Sequence, residues 1–193
     1  FTYTTPRNYP EGELSGYEIE VRQKMDRFWD RLEGLSIGAN ATFIDSEVTL
    51  PKEEADAFSA PNIMAPMSKR DMHNAPEHLY NLFVLQDLGK MGSVDLTGTR
   101  LGIFYNVRGD TLVAGAGQSK GKFVPSVYEK EYGTLNMSVS RDIGERGKMK
   151  FQAKNLLDPD IETVYRSEYI GDDVTKTSYH KGMEFTMSLS VEL

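Results

Sequence analysis

The sequence has 193 residues, with 29 acidic against 22 basic side chains, a formal net charge of −7 and no cysteine. Its length allows one or two ordinary domains. The lack of cysteine excludes disulfide frameworks, thiol catalysis and cysteine-based zinc sites, and no apolar run is long enough for a transmembrane helix. Because the basic residues are dispersed and the net charge is negative, nucleic acid is not an expected partner.

Alternation of apolar and polar residues is the dominant pattern, and it recurs about seven times along the chain. A period of two places every second side chain on the same face of an extended strand. The last segment is the clearest, since apolar residues occupy each odd position from Met183 to Leu193. The pattern predicts antiparallel strands near 14–25, 35–50, 76–88, 94–108, 131–143, 148–157 and 179–193.

The connections between these strands are alternately short and long. The short ones are 26–34, 89–93 and 144–147, whereas the long ones, 51–74, 109–130 and 158–179, each exceed twenty residues. Loops of that length are uncommon in compact domains and are usually functional or mobile. The alternation places all long loops at one end of an up-and-down meander, which is typical of a transmembrane β-barrel.

Alternation alone does not separate a membrane barrel from a soluble sandwich, because both present one apolar face. Strands of about 9–11 residues, sufficient to cross a bilayer at a tilt, favour the barrel. An odd number of strands indicates part of a larger barrel, since open edges are not tolerated in lipid. The predicted lipid-facing residues are Leu135, Met137, Val139, Met149, Phe151, Phe185, Met187, Leu189 and Val191.

Several segments together resemble the C-terminal part of the barrel of TonB-dependent outer-membrane receptors. The most specific combination is NLLD, at Asn155–Asp158, followed by KGMEFTMSLSVEL, at Lys181–Leu193. Four earlier runs are similar to other strands of that barrel: GYEIEVRQ (16–23), LEGLSIGANATFIDSEV (32–48), NAPEHLYNLFV (74–84) and PSVYEKEYGTLNMSVSRDIG (125–144). The resemblance covers nearly the whole chain from about Leu14.

The resemblance implies that residues 1–193 are the C-terminal segment of a 22-stranded barrel in the bacterial outer membrane, without the plug domain. A start at Phe1 fits a fragment or a processed product. The parent would take up a scarce ligand, such as an iron-siderophore, cobalamin or a glycan. Its implied partners are outer-membrane lipid, an extracellular small ligand, the TonB complex through the missing plug, and the barrel assembly machinery. The implied assembly signal comprises Phe185, Leu189, Val191 and Leu193, where leucine replaces the usual terminal phenylalanine.

Candidate ligand-binding residues lie in or beside the long loops. His73 and His180 are expected at the loop end of the barrel, where an iron chelate or a glycan could be contacted. Four aromatic residues are further candidates: Phe123, Tyr128, Tyr165 and Tyr169. The histidines lack metal-ligand spacing, so no metal site is expected. No nucleophile, base and orienting group can be assembled, so neither enzyme activity nor a cofactor is expected.

Two alternatives stay open at this point. A soluble β-sandwich could bind a carbohydrate through the same loop aromatics, and it would be monomeric without detergent. A small porin-like barrel is the other alternative, and it would require an eighth strand within residues 1–13.

Overall fold

The computed structural model describes residues 8–91 and 94–191. It confirms the predicted all-β, antiparallel class. One short helix, α1 (Lys52–Phe58), accompanies fourteen strands in these ranges. In chain order the strands are β1 (Glu11–Lys24), β2 (Leu35–Thr49), β3 (Lys69–Arg70), β4 (His78–Met91), β5 (Val94–Arg108), β6 (Thr111–Ala114), β7 (Gly117–Ser119), β8 (Lys122–Val124), β9 (Ser126–Glu129), β10 (Tyr132–Ile143), β11 (Gly147–Lys154), β12 (Ile161–Arg166), β13 (Val174–Tyr179) and β14 (Glu184–Val191).

Seven long strands form the main sheet in the order β1-β2-β4-β5-β10-β11-β14, with β3 paired to the end of β2. Each long strand therefore pairs with the next long strand along the chain. Two 3-10 turns, Met25–Arg27 and Asp30–Leu32, join β1 to β2, and residues 144–146 join β10 to β11. We call the end of the sheet with these short connections the turn end, and the opposite end the loop end.

The segments predicted as long loops contain secondary structure. We call residues 50–77, 109–131 and 155–183 the cap; it contains α1, β3, the β7–β8 hairpin and a second sheet ordered β13-β12-β9-β6. Along the chain β13 precedes β14, β12 follows β11, β9 precedes β10 and β6 follows β5. The strands of the second sheet therefore lie in the same order as these four strands of the main sheet. The second sheet is thus an extension of the main sheet beyond its loop end.

Two strands are shorter than their predicted ranges, 148–157 and 179–193. Strand β11 ends at Lys154 because Asn155 adopts a φ of 57°, in the left-handed region that an extended strand does not use. Gly182, with a φ of 80°, interrupts the last predicted strand, and β14 begins only at Glu184. Leu193 lies outside the described residues.

The buried apolar core lies in the cap. Leu50, Phe58, Ile63, Ala65 and Ala116 form one cluster, against which Phe123 and Met67 pack. In the second sheet Leu112, Val127, Ile161 and Val164 are also buried. Among helices in the described part of the chain, none is both long and apolar enough to cross a membrane.

The two faces of the main sheet differ in polarity. Residues that are paired across antiparallel strands share a face, so the pairing assigns each side chain to one of the two faces. All residues predicted to face lipid lie on the same face, which we call the apolar face, and the opposite one is the polar face. The apolar face comprises Tyr17, Ile19, Val21, Ile37, Ala39, Ala41, Phe43, Tyr80, Leu82, Val84, Leu101, Ile103, Tyr105, Val107, Leu135, Met137, Val139, Met149, Phe151, Ala153, Phe185, Met187, Leu189 and Val191.

Candidate functional site

The apolar face is exposed even on the central strands of the main sheet. Leu82 on β4 is 47% exposed and Ile103 on β5 is 46% exposed, and on the edge strand β14 Met187 reaches 71%. A soluble sheet normally buries such side chains against a second layer. The second sheet does not supply that layer, since it continues the strands instead of crossing over them. The apolar face is therefore a surface available to an apolar partner.

Aromatic side chains border the apolar face at the loop end. The ring of Phe43 stacks on Tyr17 at a centroid distance of 5.0 Å and meets the edge of Tyr80 at 5.7 Å. Tyr105 follows on the next strand and is 38% exposed. At the turn end Phe28 and Trp29 are 63% and 71% exposed. Amphipathic rings at two levels are typical of the interfaces between a bilayer and water.

The polar face carries a row of carboxylate, amide and hydroxyl side chains. Glu20, Asn40, Asn81, Asn106 and Thr134 are paired across five neighbouring strands. The amide nitrogen of Asn81 donates a hydrogen bond to the side-chain oxygen of Asn40 at 2.6 Å. Such a row can exchange hydrogen bonds with water or with a polar partner.

Charges of opposite sign lie on different strands of the polar face. Glu18 and Glu20 belong to β1, whereas Lys148 and Lys150 belong to β11, which is five strands away in the sheet. Between them, Arg100 donates to Asp87 at 2.9 Å. The polar face of β1 also carries Arg22 and Lys24 nearer the turn end, so its charges are mixed on that edge strand, whereas β11 presents a basic stripe.

Two of the predicted ligand-binding aromatics lie together in the cap. The rings of Phe123 and Tyr169 meet edge to face at 6.0 Å, and Phe123 also packs edge to face on Phe58 at 6.3 Å. The hydroxyl of Tyr169 donates to the carbonyl oxygen of Pro66 at 2.6 Å. Phe123 is anchored in the core, whereas Tyr169 is 40% exposed and can contact a ligand with one ring face.

Tyr128 belongs to a separate polar network. Its hydroxyl donates to Asp71 at 2.7 Å, and the guanidinium of Arg166 lies 4.9 Å from the centre of its ring. Arg166 also pairs with Asp110 and Asp173, each at 2.7 Å. Burial, followed by the contact with Asp71, raises the pKa of Tyr128 above its usual value. Tyr128 therefore stays neutral and holds the cap strands together through Arg166.

His73 lies beside the partly buried side chain of Arg70. Its Nε2 accepts a hydrogen bond from the backbone N–H of Gly115 at 3.0 Å. Burial and the nearby charge of Arg70 lower the pKa of His73, so the imidazole is a neutral acceptor. Arg70 contacts the Tyr9 hydroxyl and lies 3.5 Å from Glu54. This arrangement fixes the β7–β8 side of the cap and leaves the acceptor nitrogen of His73 occupied.

His180 lies next to the two halves of the most specific sequence pattern. The side chain of Asp158 accepts a hydrogen bond from the backbone N–H of Gly182 at 2.8 Å, and the Asn155 amide donates to the Gly182 carbonyl at 2.8 Å. The Nδ1 of His180 donates to the Asp158 carbonyl at 2.9 Å, and its Nε2 lies 3.1 Å from Asp160. We call Asn155, Asp158 and Gly182 the clasp, because they join the end of β11 to the start of β14.

The structure thus unites Phe123 with Tyr169 but separates the other candidates. Tyr165 lies on β12, where the ammonium of Lys176 is 5.5 Å from its ring centre. Sequence reasoning missed Arg70 and Arg166, which organise the cap. Their partners are separated from them by up to 61 residues, so no local pattern marks them.

Phe185, Leu189 and Val191, three of the four proposed assembly-signal residues, lie on the apolar face of β14 and are more than half exposed. In the described ranges no three His, Asp or Glu side chains are grouped as metal ligands. Comparisons of the chain with protein-family models, with curated proteins and with solved structures find no match.

Proposed function

We propose that the chain forms part of the barrel wall of a TonB-dependent outer-membrane receptor. In this proposal the apolar face contacts lipid, the polar face lines the lumen, and the cap receives the ligand outside the membrane. The observation that carries the proposal is the apolar face, which continues across all seven long strands and is bordered by aromatic rings. Its large side chains are exposed on β1, β4, β5, β11 and β14. Such a face is stable in hydrocarbon and unstable in water.

The exposed apolar face also weighs against the soluble sandwich. A sandwich buries the apolar faces of two sheets against each other at about 10 Å. Here Leu82 and Ile103, on central strands, are each almost half exposed. A carbohydrate-binding module with that surface would aggregate, whereas a lipid-facing wall requires it.

The clasp supports the resemblance to the receptor family. The resemblance rests mainly on NLLD and on the KG pair about 25 residues later in the chain. In the structure Asn155 and Asp158 of the first motif hydrogen bond to Gly182 of the second. Because the two motifs are hydrogen bonded to each other, their occurrence in the same sequence has a physical reason. Together they position β14 beside β11.

The edges of the main sheet are consistent with a larger barrel. Among the described strands, β1 and β14 each pair on one side only, and both run from the loop end to the turn end. Because they run in the same direction, antiparallel closure requires an odd number of further strands. A 22-stranded barrel satisfies this condition. The plug, contact with TonB and uptake of an iron-siderophore, cobalamin or glycan belong to the proposed whole receptor.

The orientation of the sheet is tested with two neighbouring arginine substitutions on β14. Met187→Arg places a charge on the apolar face, where it should cost about 2–4 kcal/mol near the bilayer centre. Thr186→Arg is the matched control, because Thr186 lies on the polar face opposite the uncharged Gln152. The free energy of unfolding of both variants is measured by urea unfolding of the full-length protein in phosphatidylcholine vesicles. Equal effects of the two substitutions, or a wild type that stays in solution without vesicles, would contradict the proposal.

The ligand-receiving role of the cap is tested at Tyr169. Tyr169→Ala should weaken binding of the cognate ligand about tenfold, as expected when an exposed aromatic contact worth about 1.4 kcal/mol is removed. The probes are a ferric siderophore, cobalamin and an oligosaccharide, titrated against the full-length protein in detergent. Tyr165→Ala, in the same cap but distant from Phe123, is the control. Binding that persists in Tyr169→Ala and is lost in Tyr165→Ala would place the ligand elsewhere in the cap.

A further inference from the structure

The surface of the cap contains a polar groove next to the exposed ring of Tyr169. Three segments line the groove: the C-terminal half of α1, residues 66–69 and Glu168. Its volume is about 440 Å³, which lies within the ~300–1,000 Å³ that is usual for small-molecule sites. The hydroxyl of Tyr169 donates to the carbonyl oxygen of Pro66, and Pro66 is one of the lining residues. The ring and the groove therefore lie side by side.

The groove is attached to the apolar core of the cap. Phe58, at the end of α1, is buried, and its ring meets Phe123 edge to face. Phe123 in turn meets the ring of Tyr169. Met67, from the second lining segment, packs against the same core cluster. Because all three lining segments are attached to one core, the groove is already formed before a ligand arrives, and a preformed site loses less entropy on binding.

The polar groups of the groove are mainly hydrogen-bond acceptors. Asp56 and Glu168 line it, and both residues are exposed. The hydroxyl of Ser59 donates to the carbonyl oxygen of Ala55 at 3.1 Å, so its own oxygen is left as an acceptor. Burial, followed by the nearby carboxylate of Glu168, raises the pKa of Tyr169, so its ring carries a neutral hydroxyl. A ligand that donates several hydrogen bonds matches this set of groups.

The charges of the groove disfavour an anion. Among the described residues that line it, Lys69 is the one basic side chain, and its ammonium is paired with Glu47 at 2.5 Å. The charges of Asp56 and Glu168 are not balanced by a second cation in this lining. Like charges brought together in a binding site oppose association. The groove is therefore unsuited to acidic ligands, which include the ferric complexes of catecholate siderophores.

We propose that the groove binds an oligosaccharide without acidic groups. One sugar ring lies with its apolar C–H face on the ring of Tyr169, and its hydroxyls donate hydrogen bonds to Asp56 and Glu168. A sugar ring combines an apolar face with hydroxyl donors, which are the complements of an aromatic ring and of carboxylate acceptors. The choice of a sugar rests on the proposed ligand-receiving role of the cap, and it selects one ligand class of the proposed receptor.

Binding is measured with the full-length protein in detergent on an array of oligosaccharides. The array holds linear glucans, mannans and xylans, each with a counterpart that carries uronic acid or sulfate groups. A ferric catecholate siderophore and cyanocobalamin are titrated separately. At least one neutral oligosaccharide should bind, and its acidic counterpart should bind about tenfold more weakly because of the two carboxylates.

The role of the carboxylates is tested with the double variant Asp56→Asn, Glu168→Gln. Its affinity for the neutral oligosaccharide should fall about tenfold, because a hydrogen bond to a charged acceptor becomes one to a neutral acceptor. The same variant should lose the discrimination against the acidic counterpart, which a merely structural change would not cause. Both residues are exposed, and circular dichroism verifies that the variant keeps its β-sheet. Glu145→Gln, exposed at the turn end, is the matched control and should leave binding unchanged.

The contact with Tyr169 is tested by Tyr169→Phe, which keeps the ring and should keep most of the affinity. Equal binding of neutral and acidic oligosaccharides, or binding of no neutral one, would overturn the sugar site. Binding of the siderophore or of cyanocobalamin alone would also overturn it and would still support a receptor. A protein that binds the neutral oligosaccharide but stays in solution without detergent or lipid would keep the sugar site and refute the membrane proposal.

Discussion

Replacing Gly38 with alanine should destabilise the main sheet through a single contact on the polar face. The outer end of the Phe83 ring lies against Gly38: an ideal Cβ at position 38 would approach the ring carbon Cζ to 2.2 Å and both Cε carbons to 2.8 Å. The guanidinium of Arg22 lies on this ring at 5.0 Å from its centre. A ring displaced by the new methyl group would lose its contact with Arg22, so the clash is not relieved without cost.

The expected cost of Gly38→Ala is about 1–3 kcal/mol, the usual penalty for forcing extra volume into a packed site. Glycine to alanine in a strand would otherwise be neutral or favourable by up to about 1 kcal/mol, through the entropy of the unfolded chain. Gly89→Ala on β4 is therefore the control, because a Cβ at Gly89 meets no atom within 4 Å. Both variants are compared by urea unfolding of the full-length protein in vesicles.

Phe83→Leu provides the decisive double-mutant cycle. A smaller side chain leaves room for the new methyl group, so the penalty of Gly38→Ala should fall below about 0.5 kcal/mol in the Phe83→Leu background. The reasoning is wrong if the penalty is the same in both backgrounds, because the strain would then arise from the backbone and not from the ring.

The two histidines of the cap should give opposite pH dependences of stability. The hydrogen bond to the Asp158 carbonyl and the charge of Asp160 raise the pKa of His180, so its contribution is complete below about pH 6.5 and is lost as the pH rises through the folded-state pKa. His180→Gln should therefore lower the unfolding midpoint at about pH 5.5 and leave it unchanged at about pH 9. Burial and Arg70 lower the pKa of His73, so its contribution is present above about pH 6.5 and is lost as the pH falls through the folded-state pKa. His73→Gln should accordingly reduce the loss of stability on acidification; a stronger acid sensitivity than the wild type would exclude the neutral form assigned to His73.

The main sheet is the part of the molecule that the sequence predicts well. Its strands are long, and each contains enough alternating apolar and polar residues for the two-residue period to be identified from the sequence alone. The turn residues, such as Gly144 at a φ of 62°, also determine the conformation of their own short segment of backbone. Both signals depend on neighbours in sequence, which is why the seven strands lie near their predicted positions.

The cap could not be predicted from the same signals. Its strands have two to six residues, as in β3 and β12, and so carry too few alternations to differ from a loop. Its stability comes from pairs distant in sequence, such as Tyr169 with Pro66 and Arg166 with Asp110. For this reason the sequence identifies the aromatic and histidine candidates only by residue type, and their grouping depends on strand pairs that are distant in sequence.

The buried apolar residues are distributed unevenly between the cap and the main sheet. In the described residues nine of the ten buried hydrophobic side chains belong to the cap, and the tenth is Ala153 on β11. The cap therefore carries its own apolar core, as an ordinary globular protein does, whereas the long strands bury few apolar side chains within the described chain. Under the proposed function the long strands would gain their hydrophobic stability from lipid, so removal of lipid and addition of denaturant should act on different parts of one polypeptide. A cap with its own core would then keep its shape before the sheet enters a membrane.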